Sequence, residues 1–353
     1  MSKVIAQNLS VSMGLDVDHK GSCIFAFDIQ FGELLFEGKI SHSRSDWEEF
    51  LVRFPGCSII ACYEAGGIGF NLSRMLNELG VNCKVVAPSQ VPRSANDKQQ
   101  KNDRRDAKRL AMMRVDPIRH WVREPTVEEE ADRQLFRVRY QHVCDRTRSK
   151  QQIKALLEFH QLKPPSGIKG LWTKSGMDWL KNVACESSVR IALNAHIATV
   201  EHLEVIIGSL DRDIKALSLS DKYKADCDRL TSQLSGVGTL LAMSLLTEVF
   251  RPWEFANAKA LSCHIGFTPC EWSSGGRLRQ GHITRWGVPH LRKLLVEAAW
   301  VWIRLDANAR IRYREIRFGK EPKKAIVAMA RRLAIVMWAM TVKKEDYNYQ
   351  WAA

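Results

Sequence analysis

The sequence predicts an α/β N-terminal domain led by a β-hairpin, then a long helical coiled-coil arm, then a mostly α C-terminal domain. Three observations carry this. Short β-branched and aromatic runs alternate with amphipathic stretches up to about residue 126. Residues 127–162 contain neither Pro nor Gly and are rich in polar residues. The remaining third reads as helices punctuated by glycine. The expected domains are therefore 1–126, 127–225 and 226–353.

Residues 11–17 (VSMGLDV) read as a strand, and 22–29 and 34–40 as two more joined by the turn-like 30–33. Ser45 is placed to cap a short helix, with Glu48 three residues on as its capping-box partner. A buried-type strand follows over 57–63, and an amphipathic helix over 69–79 is stopped by Gly80. A short strand over 83–87 ends at Pro88, and the basic run NDKQQKNDRRDAKRLAMMR forms a further helix. The order β-β-β-α-β-α-β-α is that of a ribonuclease-H-like fold. A doubly wound nucleotide-binding fold is the rival, and the early hairpin argues against it.

Beyond the first helix of the arm, 163–176 is rich in Pro, Gly and Ser and reads as a linker or hairpin tip. A second long helix is expected over 187–216. Val189, Ala192, His196, Thr199, Leu203, Ile206, Leu210, Asp213 and Leu217 recur there at spacings of three and four. That is a heptad seam with polar members, suited to an antiparallel arm that mediates oligomerisation or to packing within the chain. In the C-terminal region Leu234-Ser235-Gly236-Val237-Gly238 resembles the hairpin of helix-hairpin-helix modules, in which Gly236 and Gly238 would let backbone N–H groups approach a phosphate. A plain interhelical turn explains it equally. Residues 271–287 read as a polar, glycine-rich loop, and helices over 288–305 and 323–342 close the domain.

Composition narrows the function. The chain has 353 residues, 45% of them hydrophobic, and so is long enough for sizeable cores. Its net charge is +14, with 53 Lys+Arg against 39 Asp+Glu, which points to a polyanion, most often nucleic acid. Residues 271–353 alone hold 17 Lys+Arg against 7 Asp+Glu, a net +10. The nine cysteines form no C-x-x-C pair, and with no signal-like N-terminus this fits a reduced cytoplasmic protein. The apolar stretch over 325–340 is interrupted by Arg331 and Arg332, so no membrane partner is expected.

Acids carry the chemistry. Asp103 and Asp106 lie one helical turn apart among Arg104, Arg105, Lys108 and Arg109. Carboxylates that close repel unless a positive charge offsets them, whether a salt-bridge partner or a divalent metal ion. Asp16 ends the first strand and Glu64 the fourth, and those strands are neighbours in a ribonuclease-H-like sheet. Four carboxylates from three distant segments suit two-metal phosphoryl transfer, with the ions about 3.5–4 Å apart. Asp18 and Asp97 are spare acids near the same segments. A second constellation is Glu271-Trp272-Ser273-Ser274-Gly275-Gly276 followed by RLRQGHITRWG. A serine there, flanked by Arg277, Arg279 and Arg285, can meet a phosphodiester whose charge the cations neutralise; a flexible polar loop is the alternative.

Asp16, Glu64, Asp103 and Asp106, together with SSGGRLRQGHI and the GVPHLRKLLVEAA helix, resemble the DEDD transposases of the IS110/IS1111 insertion sequences, relatives of the pilin-gene invertase. The resemblance spans nearly the whole chain. It implies a RuvC-like N-terminal domain whose Asp16, Glu64, Asp103 and Asp106 bind Mg²⁺ (or Mn²⁺), and a C-terminal transposase domain whose Ser274 becomes covalently linked to DNA. It further implies donor and target DNA as substrates, a non-coding bridge RNA as guide, and a homodimer or homotetramer sharing active sites. Arg104, Arg105, Lys108, Gly236, Gly238, Arg277, Arg279, Arg285 and Arg292 are the expected nucleic-acid contacts. The rival readings are a Holliday-junction-type nuclease that activates water and a basic scaffold that keeps its acids only for folding.

Overall fold

The computed structural model describes residues 9–92, 102–115, 121–272, 277, 279–284 and 286–348. The chain divides into two compact units, Met1–Glu124 and Pro125–Ala353. The first carries strands β1 (Ser10–Val17), β2 (Gly21–Asp28), β3 (Leu34–Ser41), β4 (Ser58–Glu64) and β5 (Asn82–Val86). Helices α1 (Arg44–Leu51), α2 (Asn71–Glu78) and α3 (Asp103–Arg114) complete it. The five strands form one sheet in the order β3-β2-β1-β4-β5. β1–β2 and β2–β3 are antiparallel, whereas β1–β4 and β4–β5 are parallel. Such a hairpin-led mixed sheet is the ribonuclease-H-like arrangement that the order of elements predicts.

The two sheet faces differ because side chains alternate along each strand. Val11, Met13 and Leu15 of β1, Ile24 and Ala26 of β2, and Ile59, Ala61 and Tyr63 of β4 build the larger core, with Trp47 and Phe50 of α1 and Leu72 and Leu76 of α2. The opposite face is covered by α3, whose Ala107 and Ala111 pack on Phe25 and Phe27. Ser43, not Ser45, caps α1: its hydroxyl accepts from the Asp46 N–H at 3.2 Å, moving the helix start back by two residues. Gly80 follows α2 with φ +85°, a left-handed conformation that suits a residue without a side chain.

The second unit begins with a helical hairpin of α4 (Val127–Phe159) and α6 (Ser187–Ser218). Between them lies α5 (Lys174–Asn182), whose first three residues fall in the stretch expected to be a linker or hairpin tip. The expected seam is displaced. Thr199 and Asp213 are exposed, and the buried stripe is Leu193, Ile197, Val200, Leu203, Ile207, Ile214 and Ser218. This neighbouring stripe wins because it avoids the polar residues of the expected one. Near the tip it packs on Ile153 and Leu157 of α4 and Leu180 of α5, so the apolar face is used within the chain. Lys150–Glu204 at 2.8 Å and an Arg139–Asp211 pair tie the two long helices together along their length.

The rest is a helical bundle: α7 (Lys224–Gln233), α8 (Thr239–Glu248), α9 (Ala258–Ile265), α10 (Pro289–Leu305), α11 (Ala307–Arg317) and α12 (Pro322–Lys343). Strands β6 (Pro269–Glu271) and β7 (Gln280–Ile283) pair as an antiparallel ribbon within the stretch expected to be loop. By length and composition α12 passes for a membrane-crossing helix. Its apolar side chains, among them Ile326, Met329, Leu333, Val336 and Met340, are instead the centre of this unit's core. Its Arg331 donates to the Ser262 hydroxyl at 3.0 Å.

Among the described residues of this unit a carboxylate is buried. Glu248 is 1% exposed and accepts from Arg137 Nε and Nη2 at 3.0 and 3.1 Å, with His290 Nε2 at 3.3 Å. Burial alone would raise its pKa, but the His290 and Arg137 contacts outweigh burial and hold it at about 2, below the ordinary 4.5. A carboxyl depressed on folding stabilises the fold above its unfolded pKa, and that contribution fades as pH falls through the folded value. Acid unfolding followed by circular dichroism should therefore steepen between pH 4.5 and 2, and Glu248→Gln should flatten that slope. Arg137→Met, which strands the buried carboxylate, should cost about 2–4 kcal/mol in denaturant unfolding, a little below a fully buried pair because Arg137 is half-exposed.

Candidate active site

The site is built from the contact between α3 and the sheet. Ser12, Gly14 and Asp16 alternate onto the face of β1 beneath this helix. The Ser12 hydroxyl donates to the Ala111 carbonyl at 2.7 Å, and the Cys62 thiol of β4 donates to the Leu110 carbonyl at 3.2 Å. At Gly14 the backbones come so close that a Cβ would overlap the Ala107 carbonyl oxygen and the Ala111 nitrogen. As β1 runs from Ser12 to Asp16, its α3 neighbours run from Ala111 back toward Ala107. The N-terminal turn of α3, with Asp103 and Asp106, therefore lies at the strand's C-terminal end.

In β4 the same alternation puts Glu64 on the face of Cys62. The parallel register pairs Leu15 with Tyr63, and Asp16 and Glu64 are the next residues of their strands. Asp16, Glu64 and Asp106 line one cleft of about 190 Å³, together with Arg109 and Gly66. Asp16 also lines an adjoining cleft of about 390 Å³ with Asp103, Lys39 and Cys23. The structure thus brings all four acids to one sheet edge with Asp16 as the shared wall. It differs from the expected single convergence point, because Asp103 and Asp106 open into neighbouring clefts.

Cations stand beside the two acids of the α3 turn. Arg109 Nη1 donates to Asp106 Oδ1 at 2.8 Å, and Lys39 Nζ stands 3.8 Å from Asp103 Oδ2. Among the described residues no three acid, His or Cys side chains are grouped closely enough to hold a metal ion. The donor set is still of the right chemistry: hard carboxylate oxygens on rigid strand ends and a helix turn are what Mg²⁺ or Mn²⁺ takes. Asp18, a spare acid, closes a turn by accepting from the Lys20 and Gly21 N–H groups at 2.6 and 3.0 Å, which lowers its pKa. Asp97 lies outside the described residues.

Lys39 and Cys23 escape sequence reasoning. Cys23 pairs with Asp16 across the β1–β2 ladder, so an exact hairpin register would reveal it. Burial raises its thiol pKa, Lys39 lowers it, and Asp103 and Asp16 raise it further, which keeps the thiol protonated.

The expected nucleic-acid contacts divide. Arg104 pairs with Glu37, and Lys108 Nζ sits 5.5 Å from the Phe25 ring centroid. Arg105, Arg277 and Arg279 are exposed. Arg292 Nη1 instead donates to the Ile265 and Trp286 carbonyls, both at 2.8 Å, which gives it an internal clamping role. Gly236 has φ +91°, and a Cβ there would come 2.7 Å from the Ala298 carbonyl oxygen of α10, so packing already requires this glycine. Gly238 is the N-cap of α8 with open space around it. Ser273, Ser274 and Arg285 lie outside the described residues. The strands that flank the two serines in sequence are paired, and the Trp272 N–H donates to the Arg279 carbonyl at 2.9 Å.

A ribonuclease-H-like sheet whose acids gather at one edge, joined to a basic helical region, defines a DNA strand-processing enzyme, and comparison with known proteins makes it a transposase. The DEDD IS110 transposase model matches residues 13–161, and the model described as the transposase IS116/IS110/IS902 family matches residues 228–314. The transposase for insertion sequence element IS1533 of Leptospira borgpetersenii is 31% identical over 82% of this chain and 84% of its own. A putative transposase of Sinorhizobium fredii, y4qE, is 29% identical over 96% of this chain and 90% of its own. The transposase for insertion sequence element IS1111A of Coxiella burnetii is 26% identical over 83% of this chain and 79% of its own. The chain belongs to the IS116/IS110/IS902 family of insertion-sequence transposases.

Gly14→Ala tests whether the site depends on the α3–β1 approach. The added methyl must push the two backbones apart, so the variant should lose on the order of 3 kcal/mol of stability in chemical denaturation. It should also lose strand-transfer activity at temperatures where the unit stays folded. Unchanged activity would show that Asp103 and Asp106 need not be held against Asp16.

Proposed function

We propose that the chain cuts and rejoins DNA strands through a covalent serine ester, with Asp16, Glu64, Asp103 and Asp106 as the ligands of Mg²⁺ or Mn²⁺. The observation that carries the metal assignment is the placing of Asp16, Glu64 and Asp106 around one cleft, with Asp103 on the cleft that Asp16 shares. A divalent ion held there supplies charge stabilisation for a phosphate in flight and lowers the pKa of the attacking hydroxyl. Arg109 and Lys39, paired with Asp106 and Asp103, hold those carboxylates in place at the cleft walls. With a divalent ion held by these acids, Arg109 and Lys39 would be placed to meet phosphate oxygens of the bound DNA.

Ser274 is the nucleophile of this proposal. Its hydroxyl oxygen displaces one DNA oxygen from phosphorus and is itself displaced when the strand is rejoined. The ester conserves the energy of the phosphodiester, so strands are exchanged without an external energy source. Donor and target DNA are the substrates, a bridge RNA is the guide, and the active form is a homodimer or homotetramer. The resemblance to DEDD transposases is the support for the serine, the RNA and the assembly.

Denaturing electrophoresis of the protein with labelled element-end DNA and Mg²⁺ should show a covalent adduct that Ser274→Ala abolishes. Cleavage persisting in Ser274→Ala with water-opened ends would instead identify a nuclease. Asp16→Asn and Asp106→Asn should each slow adduct formation on the order of 100-fold or more without shifting the melting temperature downward. Unimpaired recombination by Asp103→Asn with Asp106→Asn would reduce the acids to a folding role. Sequencing the nucleic acid that co-purifies with the chain tests the guide: a discrete RNA supports it, and a random mixture opposes it.

A further inference from the structure

Between α11 and α12 the chain turns a corner that the acid cluster and Ser274 do not account for. Arg314, Arg317, Lys320, Lys323 and Lys324 fall within this short segment, against only Glu315 and Glu321. All five cations are exposed. Among the described residues none of them makes an ion pair or a side-chain hydrogen bond, and Glu315 is already held by Arg312 at 2.7 Å.

Helix electrostatics separate these cations into two groups. Arg314 and Arg317 lie in the last turn of α11, where the helix dipole favours positive charge, and need no further explanation. Lys323 and Lys324 occupy the first turn of α12, where the dipole is positive and opposes them. That turn contains no acidic residue, and Glu321 at the N-cap makes no capping hydrogen bond. Two cations at the wrong end of a helix, which make no ion pair among the described residues, suit an external anion.

Phe318 stands among these cations and is 91% exposed, the most exposed of the large hydrophobic residues described. Its backbone is fixed: its N–H donates to the Arg314 and Glu315 carbonyls at 3.1 and 3.2 Å, and Lys320 N–H donates to the Arg317 carbonyl at 2.9 Å. Gly319 between them has φ +71°. The ring is therefore presented on an ordered turn, surrounded by charge and not by an apolar patch of the kind that docks another protein. An aromatic ring framed by cations matches unpaired nucleic acid, whose base faces are open for stacking; in a duplex those faces are hidden.

We propose that the α11–α12 corner binds single-stranded DNA, with Arg314, Arg317, Lys320, Lys323 and Lys324 on the phosphates and Phe318 stacked on a base. DNA is the occupant because the chain belongs to a family of DNA transposases, and strand exchange exposes unpaired strands. The match to the transposase family model ends at residue 314, so the corner apart from Arg314 lies beyond the segment which that model describes. The inference rests on family membership and is independent of the metal ligands and of Ser274.

Fluorescence anisotropy of the full chain with labelled oligo(dT), in EDTA so that metal chemistry does not enter, tests it. Phe318→Ala should weaken oligo(dT) binding roughly 5- to 100-fold while binding of a blunt duplex changes by less than about twofold. Lys320→Glu with Lys323→Glu should weaken both ligands and lower the slope of log affinity against log salt by roughly 0.7 for each single-strand phosphate that is no longer neutralised. Both variants should melt like the parent chain. Unchanged oligo(dT) binding in Phe318→Ala, or an equal loss for duplex, overturns the stacking role. An unchanged salt slope in the double variant overturns the role of the lysines on the phosphates. Tighter binding of oligo(U) than of oligo(dT) assigns the corner to RNA and overturns the DNA reading, and a change in sedimentation without one in affinity marks it as a protein interface.

Discussion

The absence of a side chain at Gly14 is the constraint on which the first unit depends. A β-strand and a helix normally keep a layer of side chains between them; here the helix backbone lies almost on the strand. The approach is close enough for the Ser12 hydroxyl and the Cys62 thiol to reach helix carbonyls directly. Small residues on the helix, Ala107 and Ala111, make the approach reciprocal. Because the helix is pinned at these points, the turn that holds Asp103 and Asp106 has a fixed height above the ends of β1 and β4. The geometry of the acids follows from a packing decision made a helical turn away from them.

Assembling four carboxylates at one edge carries an electrostatic cost that the fold offsets locally. Each acid of the α3 turn has a cation beside it, Lys39 for Asp103 and Arg109 for Asp106. Both pairs are partly solvated, so their net worth is small and they exchange partners readily. That property suits the metal and phosphate site proposed for these acids. Glu248 is the opposite case. Its carboxylate is buried and meets the buried His290 and the half-exposed Arg137 inside the core, in an arrangement that serves the fold. Burial, more than the identity of the charges, separates the exchangeable pairs from the fixed one.

Much of the first unit was legible because its signals are local or follow from strand order. Strand alternation, the Gly80 stop and the neighbouring ends of β1 and β4 all belong to that class, and with them the placing of Asp16 and Glu64. Less legible were features set by competition between near-equal choices. Ser43 and Ser45 both suit an N-cap, and only the backbone geometry selects Ser43. In α6 two adjacent stripes have helical spacing, and the partner helix selects the more apolar one. Lys39 and Cys23 reach the clefts through the register of β1, β2 and β3, which a sequence without an unambiguous turn leaves undetermined. The pairing of β6 with β7 was hidden by the glycines and polar residues between them.

Net charge turns out to be a coarse guide to where a polyanion sits. Several of the arginines that make this chain basic are used inside the fold. Arg114 bonds the Ala61 and Asn82 carbonyls, Arg190 the Leu180 and Val183 carbonyls, and Arg292 the Ile265 and Trp286 carbonyls. An arginine so engaged ties off loose backbone acceptors at the ends of strands and helices, and its charge is committed there. Lysines, with a compact and strongly hydrated head on a flexible stem, do this less well and remain at the surface. A basic chain therefore divides its cations between two tasks that sum to the same charge. The partner-facing share is recognised by what the fold fails to satisfy, as at the start of α12, where the lysines oppose the dipole of their own helix.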